Sequence, residues 1–300
     1  MPTWHSGSFS HGRSTIDQVL QLCSIIEDGF QLKQRTGVAL VDLSAAYDMV
    51  WHQGLQLKLL HTIPNNQLVA VIMETLTNRR FVLWTSDGQE SCARRLKNGV
   101  PQGSILATCL FNIYISNIPM TLSTELAYDG DLALAFAGPD WVNIENRDLS
   151  PLHTYYHQNL LHLSKKKTVY ALYHLNTCGV GRWLNIIVDG KTTAFQPNPT
   201  SLGVKLDWSL TFKLHLTTVW QKVLSCCMLL NRWQSQGASV SMFRNSSLGL
   251  VYPTAEHCSA AWSRSRNTKE VDVAINSALR KITGCQKPMS TQYLPSIAQL

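Results

Sequence analysis

The sequence predicts an α+β fold, and three observations carry that prediction. Short β-branched runs bounded by turn residues alternate with helical periodicities as far as Leu206. From Leu210 onward the periodicity is helical alone. Hydrophobic residues make up 45% of the 300, enough for a real core in one large or two modest domains.

The elements follow in order. "VALVDL", Val38 to Leu43, is an apolar run of strand length. Leu55, Leu57, Leu59 and Leu60, then Leu68, Val69, Val71, Ile72 and Leu76, predict two helices broken at "IPNN". "RRFVLWTSDGQESCARRLKNG" predicts a hairpin turning at Asp87-Gly88, because both residues tolerate positive φ. From Ser104, the residues Ile105, Leu106, Leu110, Phe111, Ile113, Tyr114 and Ile118 recur at helical spacing until Pro119. "LAYDGDLALAF", Leu126 to Phe136, sets Asp129, Gly130 and Asp131 at the tip of a tight hairpin, and a helix is expected over roughly 140–163.

Strands are expected at "TVYALYHL", at "LNIIVDG" with a turn at Asp189-Gly190, and at "SLGVKL". Helices follow in "FKLHLTTVWQKVLSCCMLLNRW", "ASVSMFRNSSLGLVYPTAEHC" and "KEVDVAINSALRKITG", with Gly284 as the last one's C-cap. An α+β half thus precedes an all-helical tail.

Charge divides unevenly. Residues 1–150 carry 10 Lys/Arg and 14 Asp/Glu, a net −4, while residues 151–300 carry 16 and 5, a net +11. An acidic half suited to divalent metal is joined to a basic half suited to polyphosphate or to an ordinary solvated surface. The eight cysteines are scattered without C-x-x-C, which argues against structural zinc and a disulfide framework. No run of eighteen apolar residues exists, and the start "MPTWHSGSFSHGRST" lacks a signal-peptide layout, so an intracellular protein is the default expectation.

Two stretches carry chemistry. In "VDLSAAYDMVW", Asp42 closes a buried strand, where a carboxylate is costly unless it meets a cation, a hydrogen-bond donor or the edge of the fold. Mg²⁺ is one such partner; the alternative is a helix N-cap for the segment that follows. In "LKNGVPQGSILATCLFNIYISNIP", Gly99, Pro101 and Gly103 shape a tight loop before a helix, which suits an anion or a close-lying chain.

"VDLSAAYD", "NGVPQGSILATCLFNIYI", "AYDGDLAL", "LSKKKT" and "SLGVKLD", in this order and spacing, resemble the palm motifs of reverse transcriptases from non-LTR (LINE-type) retrotransposons of the jockey/RTE kind. "GRSTIDQVLQL" resembles the segment leading into the palm, "NRRF" precedes the central motif as in such elements, and "VYPTAEHCSAAWSRS" resembles a stretch downstream of their polymerase. The resemblance implies a right-hand polymerase palm, an antiparallel sheet packed on helices, followed by a helical thumb-like region. It divides the chain into a fingers/palm junction remnant at 1–37, the palm at 38–209 and the thumb-like and downstream region at 210–300, with the fingers largely missing.

The implied activity is RNA-directed DNA polymerisation by two-metal nucleotidyl transfer, with Mg²⁺ or Mn²⁺ as cofactor and an RNA template, a DNA primer and dNTPs as partners. By similarity Asp42 and Asp131 are metal ligands and catalytic carboxylates. Tyr47 lies beneath the incoming sugar, or is a core aromatic; Gln102, with Gly103 beside it, contacts the template and nascent pair. Lys167 is a candidate general acid toward pyrophosphate, or part of a solvated basic run with Lys165 and Lys166. "SLGVKLD" corresponds to a primer-holding hairpin, and Lys213, Lys222, Arg232 and Arg244 are candidate phosphate contacts.

One departure lies at the chemistry. The family hairpin reads Tyr-Ala-Asp-Asp, whereas this chain reads Tyr128-Asp129-Gly130-Asp131, so Gly130 stands at a lost ligand position. Asp129 substitutes only if the strand slips by one residue, since neighbouring side chains alternate between faces. Lesser departures are Thr108, Ser201 and "SGSFSHGRS". The expectation is therefore a reverse transcriptase domain impaired by Gly130, or else a non-catalytic nucleic-acid-binding remnant or a translated fragment of a decayed element.

Overall fold

Thr36 to Asp42 alternates small and β-branched residues with almost no polar interruption, and it becomes the central strand of a mixed sheet. The computed structural model describes residues 14–128, 130–139, 141–164, 166–175, 187–188, 191–237, 239–286 and 288–298. The chain divides into two units, Met1–Gln18 with Ser24–Gln196, and Val19–Cys23 with Pro197–Leu300.

Helix α1 (Thr15–Gln31), whose Val19–Cys23 belong to the second unit, begins the first on a capping box: Asp17 N–H donates to Ser14 Oγ at 3.3 Å, and Ser14 N–H donates to the Asp17 carboxylate at 2.8 Å. Strand β1 (Thr36–Asp42) follows, then a run of turns. Helices α2 (His52–Thr62) and α3 (Asn66–Leu76) break at the expected place, because the Asn65 side chain caps the amides of Gln67 and Leu68. Strands β2 (Arg80–Phe81) and β3 (Arg94–Arg95) pair across the turn at Asp87-Gly88, with a further bridge between Trp84 and Glu90.

Helix α4 (Ile105–Tyr114) precedes a hairpin of β4 (Thr124–Tyr128) and β5 (Asp131–Ala137), then helix α5 (Trp141–Gln158). Strands β6 (Val169–Tyr173), β7 (Ile187–Val188), β8 (Lys191–Thr192) and β9 (Ala194–Phe195) complete the unit. The expected Asp189-Gly190 turn lies outside the described residues. The main sheet runs β4-β5-β1-β6-β9, antiparallel except for β6 with β9.

The core forms where apolar faces meet: Leu55 and Leu59 of α2, Phe111 and Tyr114 of α4, Leu134 of β5 and Leu152 of α5 are buried. Two polar anchors tie this layer together. Buried Asp148 of α5 accepts from Leu122 N–H (3.0 Å), Ser123 N–H (2.8 Å) and Ser123 Oγ (2.6 Å), fixing the entry to β4. Lys58 of α2 donates to the Tyr114 carbonyl at the end of α4 and to the Tyr155 hydroxyl, and burial lowers its pKa to about 8.

The second unit contains a hairpin of β10 (Thr200–Ser201) and β11 (Val204–Lys205) and then helices. Buried Asp207 accepts from Phe212 N–H (2.6 Å), Thr211 N–H (2.9 Å) and Thr211 Oγ1 (2.8 Å), which shapes the chain into helix α6 (Lys213–Ser235). Helix α7 (Val240–Ser246) runs into a π-turn at Ser247–Val251 before α8 (Tyr252–Glu256), where one continuous helical stretch was expected. Gly249 and Pro253 weaken the regular ladder there. Helices α9 (Ser259–Trp262), α10 (Lys269–Thr283) and α11 (Leu294–Ile297) follow, and Gly284, with φ +70°, ends α10 as expected. Among the described residues no helix is long and apolar enough to cross a membrane, and the cysteines are free thiols.

Candidate active site

Strand register brings three of the sequence-predicted residues to one end of the sheet. Asp42, the last residue of β1, is the direct cross-strand partner of Asp131, the first residue of β5. Opposed residues project from the same face with Cβ atoms about 5 Å apart, and two like charges there repel. On the other flank the β1–β6 ladder ends at the pair Leu40 and Val169, and Lys167 lies two residues further along. Lys167 Nζ is 3.4 Å from Asp42 Oδ1. With Lys167 71% exposed and Asp42 23%, the pair is worth less than about 1 kcal/mol.

The other oxygen, Asp42 Oδ2, is buried and has no hydrogen-bond partner. An unsatisfied buried carboxylate oxygen is expensive, and a cation is the partner that relieves both this cost and the repulsion from Asp131. Backbone bonds hold the residue in place: Asp42 N–H donates to Thr168 Oγ1 at 3.4 Å, and its carbonyl accepts from Ser164 N–H at 2.8 Å. The helix-cap alternative does not occur, because turns follow Asp42 and the next helix begins at His52.

Tyr47 lies in those turns and stacks on Phe111 of α4, with centroids 4.8 Å apart and planes at 21°. Its carbonyl accepts from Val100 N–H (2.9 Å), and the Val50 carbonyl accepts from Gly99 N–H (2.8 Å), stitching the Gly99–Gly103 loop to the Tyr47 turn. The approach demands glycine: a Cβ at Gly99 would lie 2.8 Å from the Asp48 carbonyl oxygen, and φ is +87°. His52 and Arg79 both reach the Gly99 carbonyl, so "NRRF" contributes a clamp on this loop. Gln102 and Gly103 are exposed on it, just before α4.

The hairpin register pairs Tyr128 with Asp131, leaving residues 129–130 as the connection. Asp129 lies outside the described residues. Gly130 has φ +91°, and a Cβ there would sit 3.3 Å from Ala46 Cβ and 4.0 Å from the Phe111 ring. Gly130 therefore adjoins the Tyr47–Phe111 stack, in a turn conformation that side chains resist. Among the described residues no group of three or more His, Cys, Asp or Glu gathers to hold a metal. Asp42 and Asp131 form a two-carboxylate set, which suits one hard divalent cation that takes further oxygens from water or phosphate.

Sequence reasoning did not single out Phe111, Thr168 or Arg79. Phe111 was visible only as one apolar residue of the α4 periodicity, and the other two act through backbone contacts that depend on the fold.

A sheet backed by helices, with carboxylates at the ends of its central strands, defines a polymerase palm-like fold. Residues 5–213 match the family model described as reverse transcriptase (RNA-dependent DNA polymerase), and the chain belongs to that family. Members of the family use divalent metal ions. The probable RNA-directed DNA polymerase from transposon BS of Drosophila melanogaster is 26% identical over 300 residues, 94% of this chain and 32% of the relative. The RNA-directed DNA polymerase from mobile element jockey of Drosophila funebris is 26% identical over 218 residues, 70% of this chain and 23% of the relative. The chain thus spans about a third or less of the curated relatives it matches, and their kind agrees with the non-LTR resemblance. Apo telomerase from Candida tropicalis shares the fold with TM-score 0.51 and 12% identity over 98% of this chain and 54% of its own.

Proposed function

We propose that this chain is the RNA-directed DNA polymerase domain of a retrotransposon whose nucleotidyl transfer is impaired at Gly130. The observation that carries the reading is the direct opposition of Asp42 and Asp131, with Asp42 Oδ2 buried and unpartnered. Asp42 and Asp131 would hold Mg²⁺ or Mn²⁺. When bound, the metal lowers the pKa of the primer hydroxyl and neutralises charge on the triphosphate.

The remaining roles belong to the chain's own groups. The Tyr47 ring, braced by Phe111, forms a floor beneath the incoming sugar and disfavours a 2′-hydroxyl. Gln102, on the loop stitched to that turn, contacts the template and nascent pair. Lys167, beside Asp42, is the proton donor toward pyrophosphate. Asp129 serves as a third ligand only if the strand slips by one residue. The missing carboxylate at Gly130 removes transition-state stabilisation on the order of 3 kcal/mol, about a hundredfold in rate.

A second reading, a nucleic-acid-binding remnant without turnover, is favoured by Gly130 together with the +11 charge of residues 151–300. The test is extension of a DNA primer on an RNA template with dNTPs and Mg²⁺ or Mn²⁺. Slow extension that disappears in Asp42→Asn supports the polymerase. Extension that survives Asp42→Asn contradicts it, and none under any condition leaves the remnant reading.

A further inference from the structure

The segment from Arg79 to Lys97 is a basic island within the acidic half of the chain. It carries Arg79, Arg80, Arg94, Arg95 and Lys97 against Asp87 and Glu90, whereas residues 1–150 as a whole carry a net −4. Arg79 is turned inward onto the Gly99 carbonyl, but Arg80, Arg94 and Arg95 are exposed on β2 and β3.

The register sets two like charges face to face. Arg80 is the direct cross-strand partner of Arg95, so two guanidinium groups project from the same face. Among the described residues, no carboxylate lies in ion-pairing distance of either, and the Arg95 side chain donates to the neutral Asn78 Oδ1 at 2.6 Å. An anion placed between the two relieves the repulsion, and planar guanidinium groups match phosphate oxygens well. Further along the same hairpin Trp84 is 71% exposed and Leu83 59%, while Phe81 pairs with Arg94 on the face opposite the Arg80–Arg95 pair. An exposed indole four residues along the hairpin from Arg80, roughly 13 Å at strand spacing, together with the arginine pair is a combination that binds a single strand, by stacking on a base while the cations meet the backbone.

We propose that the Arg80–Arg95 hairpin is a binding site for single-stranded nucleic acid, with the arginine pair bridging a phosphate and Trp84 stacking on a base. It rests on the reverse-transcriptase reading only in taking RNA as the first ligand to try. The site is separate from the Asp42–Asp131 pair, so binding can hold where polymerisation fails.

The test is fluorescence anisotropy of the full chain with a labelled twelve-nucleotide single-stranded RNA and its DNA equivalent, across a salt series. Arg80→Ala with Arg95→Ala is expected to weaken binding about tenfold and to flatten the slope of log K against log salt by about 0.7, the value for one lost phosphate contact on a single strand. Trp84→Ala is expected to weaken binding about tenfold with the slope unchanged. All three side chains are exposed, so thermal unfolding of the variants should match the parent. Loss on RNA alone or on both strands supports the site and states whether the sugar is read. Affinity unchanged in either variant overturns the proposal and leaves the hairpin to an acidic protein partner.

Discussion

Asp42 on β1 and Asp131 on β5 are direct cross-strand partners, and Lys167 reaches the outer oxygen of Asp42 from the far side. This places a carboxylate pair and a cation across the ends of three neighbouring strands. The two carboxylates repel in the free protein, and the exposed lysine offsets little of that repulsion.

Divalent metal should therefore stabilise the chain. At ten times the dissociation constant, binding to the native state alone adds about 1.4 kcal/mol, a rise of a few degrees in the thermal midpoint. Mn²⁺ titration by thermal shift should show it, and Asp42→Asn should remove the shift while leaving the metal-free midpoint unchanged or higher.

Asp207 offers a stability prediction within the second unit. Its carboxylate takes two backbone amides and the Thr211 hydroxyl at 2.6–2.9 Å while almost wholly buried. Asp207→Ala leaves those donors unsatisfied and should cost at least about 3 kcal/mol in urea unfolding; Asp207→Asn should cost less.

His215 makes the second unit acid-sensitive. Its ring is buried, accepts from Lys205 N–H at 3.3 Å, and has its pKa lowered to about 4 by burial first and then by His257, Lys222 and Lys205. Below the ordinary value of 6.5 the unfolded chain takes up a proton that the folded unit refuses. Stability is thus fully present above pH 6.5 and declines as the pH falls toward 4. Denaturant midpoints measured from pH 7 to 4.5 should fall in the parent and fall less in His215→Gln.

Much of this was legible because local rules and the fold agree. The break between α2 and α3, the turn at Asp87-Gly88, the α4 periodicity and the Gly284 cap all rest on neighbouring residues. The order of the motifs identified the family before any distance was known. What the sequence left open depends on partners far along the chain. Whether Asp42 caps a helix or ends a strand is decided by the ladder to β5 and β6, and Phe111 becomes a brace for Tyr47 only when α4 packs on the turn after β1. The constraint on Gly130 is of the same kind: the sequence shows a glycine where the family hairpin has Asp, and the structure adds a left-handed turn in which a Cβ would lie 3.3 Å from Ala46 Cβ.

That constraint sharpens the repair of the site. Gly130→Asp alone forces a side chain into φ +91° and against Ala46. Adding Asp129→Ala removes a like charge next to the new carboxylate and restores the Ala-Asp order of the family hairpin. The decisive measurement is primer extension on an RNA template by the parent, Gly130→Asp and the double variant under identical Mg²⁺ and dNTP. The account predicts little or no product from the parent, a modest gain from Gly130→Asp and a gain on the order of a hundredfold from the double variant. Robust extension by the parent, or a folded double variant no faster than the parent, would contradict it.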